Sequence, residues 1–362
     1  MKISNYLIDI LPLSLLILFF YGAKPVKPLR SLDIGGYLSI DSGKSYRGFF
    51  AVTIVLHHLS AITQTGKLFS LFSIAGRVTV AFFSFLSGYG LQKSYITKGD
   101  RYKKGYLLKR IPSVLIPYII ITAVFWLMHF VFGKSYSLKD IILLLVKGEP
   151  LVDYSWYIIS ILIFYLVYWG LMQVCGKRYP LMIVLGTVWY FLHIAFCKKM
   201  GYGNWWYNTS HLIIVGMFWA TYETRILEIL KKNYVWIASA VLVLFALVSA
   251  YRESINQLGS PFLSEIIIFF RMLLFVLCVI LFSLKVQIGN RVLRFLGSIS
   301  LEIYLSQGLF INLLRSRIKG AENEWLWCSV VLICTILFSY IFHIAVQFIL
   351  KKYKKICVSR IS

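Results

Sequence analysis

Arg47 and His58, in the run RGFFAVTIVLHH, are the residues best placed for proton transfer and anion binding. Ten residues separate them. Eleven steps of about 100° make roughly three helical turns, so both side chains fall on one face about 16 Å apart along the axis. The arginine then opens the helix near one membrane surface and the histidine lies near mid-membrane. An ionisable group at that depth costs about 2.5–3.5 kcal/mol when charged, so it faces the protein interior and usually has a task. A neutral imidazole is cheaper to bury, which suits His58 to moving a proton. The same residues could instead simply bond to neighbouring helices. His57, one step off that face, is expected to point toward a neighbouring helix or lipid.

Further along, GRVTVAFFSFLSGYGLQKSY ends in Ser87, Gly88, Tyr89 and Gly90. Small residues let helices approach closely, and a gap at Gly88 would alternatively admit a ligand chain. The next stretch, KKGYLLKRIPSVLIPY, carries Lys103, Lys104, Lys109 and Arg110. These suit phosphate groups and equally suit anionic lipid as topology determinants. Glu302, Glu265, Arg271 and His211 are other polar residues in apolar runs and candidates for the same cavity, with a structural ion pair as the alternative. The clusters Trp205, Trp206, Tyr207 and Asp153, Tyr154, Ser155, Trp156 fall where an interfacial aromatic belt is expected. Sugar stacking is the other reading.

The elements that must position these residues are transmembrane helices. The chain has 362 residues, 59% of them hydrophobic and only 14% charged, and its mean hydropathy is +0.77. A water-soluble domain averages about 45–50% apolar and about 25% charged, so a soluble fold is excluded. The formal charge of +24 sits in short clusters between apolar runs and reads as topology, not as a nucleic-acid surface. About eleven segments reach the roughly 20 residues that a span requires. They lie near 5–23, 47–64, 72–92, 113–133, 154–175, 180–198, 206–222, 234–251, 263–284, 295–314 and 325–350. The polar-in alternation of a membrane barrel is absent, so the spans are helices. The interval 134–153 is apolar but too short to cross and reads as an amphipathic surface or re-entrant segment. No inverted repeat of the transporter kind is evident.

With the N-terminus outside and the C-terminus inside, roughly 25 of the basic residues fall on the inner side, including Lys24, Lys27, Arg30, Lys93, Lys98, Lys104, Arg110 and the tail from Lys351 to Arg360. Residues 1–23 have one early lysine and no small-x-small cleavage site before Lys24, so an uncleaved anchor is expected. The six cysteines show no C-x-x-C or C-x-x-H spacing, and neither a disulfide framework nor a metal site is expected.

From about residue 46 to 350 the chain resembles the membrane acyltransferase-3 family. The resemblance rests on Arg47, ten residues and His58; on Phe82, Phe83, Ser84, Phe85, Leu86, Ser87, Gly88 and Tyr89; and on the helix led by Trp156 in YSWYIISILIFYL. The stretch around Gly216 and FLGSISLEIYLSQ from Gly297 to Gln307 complete it, in the family's order. Two departures stand out. The paired R-x-x-R of many relatives is represented by Leu107 and Arg110, and the late histidine of the penultimate helix is Gln307.

The resemblance implies an all-α polytopic membrane protein: an N-terminal anchor and linker (1–45), a ten-helix acyltransferase-like domain (46–350) and a basic tail (351–362). It implies residence in the cytoplasmic membrane of a bacterial cell. It also implies transfer of an acetyl or other short acyl group from cytoplasmic acyl-CoA to a hydroxyl of a cell-surface glycan or lipid-linked sugar. Acyl-CoA would be a co-substrate, with no tightly bound cofactor. Arg47, Arg110, Lys109 and Lys104 would meet the donor, and His58 would act as general base or acyl relay. His57, Ser87, Gly88, Tyr89, Glu302 and Trp156 are candidates for the cavity. A transporter or flippase of lipid-linked glycans would need similar helices and buried charges, and a sensory or structural membrane protein is a third reading. The orientation makes its own prediction: a cysteine placed in the 98–104 loop of intact cells stays unlabelled by a membrane-impermeant thiol reagent. Labelling from outside would reverse the topology.

Overall fold

The computed structural model describes residues 4–27, 31–251, 260–315 and 323–358. Arg30 and Arg360 of the charge pattern lie outside them. Numbering helices of eight residues or more in chain order, α1 is Ile10–Phe20, α2 Ile40–Ser60, α3 Ala75–Lys98, α4 Tyr106–Val131, α5 Leu138–Val146 and α6 Trp156–Cys175. Then follow α7 Tyr179–Lys199, α8 His211–Ala250, α9 Pro261–Ser283, α10 Arg291–Ser298, α11 Ser300–Arg315 and α12 Glu324–Val358. The strand content among described residues is one two-residue antiparallel ladder, Lys24–Pro25 against Val286–Gln287.

Among the described residues, seven helices are long and apolar enough to cross a membrane: α3 with the short turns before it, α4, α6, α7, α8, α9 and α12. The eleven expected segments map onto these and onto four pieces that differ for physical reasons. Helix α1 has 11 residues, about 16 Å at 1.5 Å per residue against a core of about 30 Å. Helix α2 is long enough but carries Asp41, Lys44, Arg47, His57 and His58. The segments 206–222 and 234–251 are not separated by a loop. They are ends of one 40-residue α8 that leaves helical geometry only at Tyr222 and Asn233, and the charged stretch between those kinks is itself helical. Helix α11 has 16 residues and follows α10 after a break at Ile299.

The interval expected to be amphipathic holds α5, whose nine residues reach only about 14 Å. A reciprocal capping box starts it: the Ser137 hydroxyl accepts from the Asp140 amide, and the Asp140 carboxylate accepts from the Ser137 amide at 2.8 Å. Such a box satisfies two orphan amides of the first turn. Leu138, Ile142 and Val146 on this helix are exposed.

Helix α2 is the centre of the bundle. Ser39 caps it by accepting from the Ser42 amide, so the helix begins seven residues before Arg47, and the arginine lies two turns inside instead of at the entrance. His58 correspondingly sits close to the far end, at Ser60. Of its 21 residues 13 are buried, against 5 of the 26 in α4, and its apolar side chains enter three separate core clusters through Ile54, Phe50 and Val55. The outer helices expose large apolar groups such as Ile119 and Leu127 on α4, Phe191 and Leu192 on α7, and Leu337 and Ile341 on α12. An apolar exterior around a polar helix is the arrangement hydrocarbon demands.

Two crossings bring backbones into contact. A Cβ on Gly88 of α3 would run into the carbonyl oxygen of Ile213 on α8, and one on Gly216 of α8 would meet the carbonyl oxygen of Phe85 and, at 2.6 Å, the amide of Tyr89. On the other flank a Cβ on Gly48 of α2 would strike the Leu293 carbonyl oxygen, and one on Gly297 the Lys44 carbonyl oxygen. Only glycine fits where helices touch backbone to backbone, the small-residue packing known in membranes. Gly88→Val or Gly216→Val is therefore expected to lower stability by about 1–3 kcal/mol through overpacking. The check is the melting temperature of detergent-solubilised protein by size-exclusion thermostability. An unchanged melting temperature for both variants would contradict the crossing.

Candidate active site

Side chains on one face of α2 line two cavities. At the His58 end a cavity of about 650 Å³ is lined by His57, His58, Arg77, His129, Asp153, Tyr154, Trp156 and Tyr304 among others. At the Arg47 end a cavity of about 250 Å³ is lined by Arg47, Ser87, Ser113, Tyr157, Tyr165 and, again, Tyr304. Tyr304 therefore stands between the two spaces, in edge contact with Tyr157 (ring centroids 6.0 Å apart) and with its hydroxyl donating to the Tyr154 carbonyl oxygen.

The His58 ring is held by stacking. Its centroid lies 3.7 Å from that of Tyr154 at an interplanar angle of 22°, and no side-chain hydrogen bond to it is found among the described residues. His57, ring centroids 4.8 Å away, does not face lipid. Its Nδ1 lies 2.9 Å from the Phe72 carbonyl oxygen, to which it donates, and its ring packs over Gly76, where a Cβ would collide with it. That donation leaves Nε2 as the acceptor nitrogen of a neutral His57.

Tyr154 is the only non-glycine described residue with positive φ, at 63°. A bulky residue in this region costs about 1–3 kcal/mol, and such outliers cluster at functional sites. It belongs to the connection between α5 and α6, where Val152 is fully buried and Ser155 Oγ donates to the Val152 carbonyl oxygen at 2.7 Å. Burial pushes the neighbouring Asp153 carboxyl above its ordinary range, while the Asn312 amide, donating to it at 2.5 Å, opposes that rise.

Arg47 brings a guanidinium into the smaller cavity, and its Nε is buried with no hydrogen-bond partner among the described residues. Arg110 is close enough for the two charges to repel, and Tyr165 interacts electrostatically with both. Arg110 Nε donates to the Tyr102 hydroxyl at 3.3 Å, and its guanidinium lies 5.9 Å from that ring. Lys109 folds back over Gly105 at the start of α4, its Nζ 3.4 Å from where a Cβ would stand. Lys104 is exposed. Ser87 Oγ donates to the Phe83 carbonyl oxygen at 2.9 Å and lies 3.4 Å from the Tyr157 hydroxyl, at the cavity wall.

Other candidates point elsewhere. Gly88 is closed by the α8 backbone and leaves no gap for a ligand chain. Tyr89 donates to Glu223 at 2.8 Å, in a separate cluster with Tyr37 and Lys93 that ties α8 just past its first kink. Glu302 accepts from or pairs with His343 at 2.8 Å, linking α11 to α12. Glu265 accepts from the Tyr207 hydroxyl at 2.8 Å and lies 3.4 Å from Lys198. His211 is stacked on Phe269, ring centroids 4.0 Å apart. Trp156 and Trp205 line the larger cavity, whereas Trp206 packs with Cys197 and Tyr207. Among the described residues no group of three or more His, Cys, Asp or Glu could hold a metal ion.

Sequence reading missed Arg77, His129 and Glu149 in the larger cavity and gave no part to the Tyr157 hydroxyl or Tyr165 in the smaller one. Arg77 was the most accessible signal, a charged residue opening an apolar helix.

The strained Tyr154 makes a prediction. Tyr154→Gly is expected to keep or raise the melting temperature, because glycine adopts positive φ freely, while uncovering the His58 ring. Mass spectrometry after brief diethyl pyrocarbonate treatment should show faster modification of His58 in the variant. An unchanged rate would mean that Tyr154 does not shield it.

No curated protein and no solved structure matches the chain. Residues 45–344, which include both cavities' α2 residues and the first part of α12, match the acyltransferase domain of family 3. With its polar α2 enclosed by helices able to cross a membrane, the chain belongs to the acyltransferase-3 family of membrane acyltransferases.

Proposed function

We propose that the protein transfers an acetyl or other short acyl group from acyl-CoA, entering at the cytoplasmic side, to a hydroxyl of a cell-surface glycan or lipid-linked sugar in the His58 cavity. The observation that carries this reading is the placement of Arg47 and His58 on one helix in two cavities that share Tyr304, in a chain of an acyltransferase family.

In this reaction Arg47, with Arg110 beside it, holds the phosphate end of the donor through charge-assisted bonds. The unpartnered Arg47 Nε supports that role, since a buried donor left unbonded costs about 1–3 kcal/mol. The acyl-bearing arm of CoA reaches along α2 past Tyr304, over the roughly 16 Å between the two residues. His58, neutral, takes the proton of the acceptor hydroxyl as its oxygen attacks the thioester carbonyl. A tetrahedral intermediate forms, the carbon–sulfur bond breaks, and the imidazolium returns the proton to the leaving thiolate. The products are an O-acyl ester and free CoA. Trp156 and Trp205 offer flat apolar faces to a sugar ring in the same cavity.

A transporter of lipid-linked glycans would use the same aromatic rim without consuming acyl-CoA. The test is acyl-CoA consumption by the purified full-length protein in nanodiscs, with O-acyl signals followed by NMR of surface polysaccharide from cells. His58→Ala is expected to lower turnover by about 10²–10⁴-fold, the usual worth of a general base, with protein level unchanged. Arg47→Gln is expected to weaken donor use on the order of tenfold to a hundredfold. Turnover that survives His58→Ala would remove the catalytic assignment.

A further inference from the structure

Among the described residues Tyr304 alone lines both the His58 cavity and the Arg47 cavity. It stands on a stripe of α11 that holds the connection carrying Tyr154. Tyr304, Gly308 and Asn312 are spaced four apart, so they share one helical face. Each meets that connection. The Tyr304 hydroxyl donates to the Tyr154 carbonyl oxygen, a Cβ on Gly308 would stand 2.9 Å from Asp153 Cβ, and the Asn312 amide donates to the Asp153 carboxylate at 2.5 Å. Held at these points, Tyr154 keeps its φ of 63° and its ring stays stacked on His58, centroids 3.7 Å apart. A strained backbone of this kind persists only while its surroundings over-determine it. Of the three holding residues, only Tyr304 lines either cavity.

We infer that Tyr304 is a positioning residue that couples donor entry to the uncovering of His58. While its hydroxyl holds Tyr154, the imidazole stays stacked and covered. The acyl-bearing arm of the donor, passing from Arg47 toward His58, displaces Tyr304 and frees Tyr154 to swing away. The coupling follows from the path: Arg47 and His58 lie about 16 Å apart along α2, and the arm has to pass the one described side chain common to both spaces. Moving that side chain breaks its bond to the Tyr154 carbonyl oxygen, and the left-handed tyrosine loses one of the contacts that hold it. A ligand shifts such an equilibrium only through its differential affinity for the two states. Here the difference is steric, since the arm and the resting Tyr304 ring compete for the same space, whereas a nucleotide lacking the arm stops at Arg47. His58 then becomes available to an acceptor hydroxyl only once a thioester is at hand, which orders the reaction, donor before acceptor. The donor's identity rests on the acyl-transfer reading, whereas the hold of Tyr304 on Tyr154, and through it on His58, is testable with no donor present.

The experiment uses the full-length protein in nanodiscs, with brief diethyl pyrocarbonate treatment and mass spectrometry reading the modification of His58 relative to His57. His57, bonded to the Phe72 carbonyl oxygen, is the internal reference. The probes are S-acetonyl-CoA, a ketone analogue of acetyl-CoA that cannot transfer its acyl group, and adenosine bisphosphate, the donor's nucleotide without its arm. Melting temperature reports the binding of each. In the intact protein S-acetonyl-CoA is expected to raise the His58-to-His57 ratio severalfold, and adenosine bisphosphate to bind without changing it. Tyr304→Phe, which removes only the hydroxyl, is expected to raise the ratio about two- to tenfold with no probe present, the worth of one hydrogen bond, and to blunt the further response to S-acetonyl-CoA. A ratio unchanged in Tyr304→Phe, or moved equally by the two probes, overturns the coupling. So does a ratio that stays constant while S-acetonyl-CoA binds the intact protein. A lowered melting temperature in Tyr304→Phe with both histidines modified faster together marks a merely structural tyrosine and overturns it as well. If the hydroxyl deletion uncovers His58 but S-acetonyl-CoA gives no saturable stabilisation, Tyr304 still positions His58 and the acyl-transfer reading is what fails.

Discussion

Helix α2 carries Asp41, Lys44, Arg47, His57 and His58 along 21 residues, and it cannot face hydrocarbon. Each charged group left in lipid near the membrane centre costs about 2.5–3.5 kcal/mol, so neighbours must enclose the helix on every side. The enclosure is close because the neighbours touch backbone to backbone: Gly48 and Gly297 on one flank, Gly88 and Gly216 on the helices behind. Without a Cβ at those points α3, α8 and α10 reach a spacing that larger residues would forbid. The cavities are what remains where enclosure is incomplete, one at each end of the same polar face.

Connections at the two ends extend this enclosure. Near His58, the Asp9 carboxylate accepts from the Lys67 and Phe69 amides at 3.1 and 2.8 Å, and the Glu324 carboxylate accepts from the Gln64 and Thr65 amides. Both acids pin the segment after α2 by satisfying backbone donors that would otherwise be orphaned. Near Arg47, Glu223 gathers the Tyr37 and Tyr89 hydroxyls and Lys93 just where α8 bends. Acidic residues are scarce in this chain, 14 against 38 Lys and Arg. Several of them, Asp9, Glu223 and Glu324 among them, serve as such ties.

Much of this was legible in the residues. The spacing of Arg47 and His58 gave their common face because helical periodicity is local. The apolar interval after residue 134 read from its length as too short to span, and the structure gives it a nine-residue helix, whose capping box at Ser137 and Asp140 the length alone did not announce. The order of the family's motifs identified the class. The start of α2 was not legible, because IDSGKS reads as a polar linker until Ser39 is seen capping Ser42. The continuity of α8 was hidden by the charged residues between its kinks, which imitate a loop. That Arg77 of α3 and Arg271 of α9 line one cavity depends on those two helices packing together, and no local pattern reports a meeting of elements so far apart in sequence. Tyr154 was hidden for a further reason, since nothing in DYSW announces a left-handed tyrosine.

The central claim is that one helix links a donor cavity to an acceptor cavity on opposite sides of a membrane. The most direct measurement is acyl transfer by the intact protein reconstituted in sealed vesicles of one orientation, with acyl-CoA supplied on one side and the hydroxyl acceptor on the other. Transfer is predicted only when acyl-CoA is on the side of Arg47 and Arg110 and the acceptor is on the side of His58. Equal transfer with both substrates confined to the same side would contradict the account.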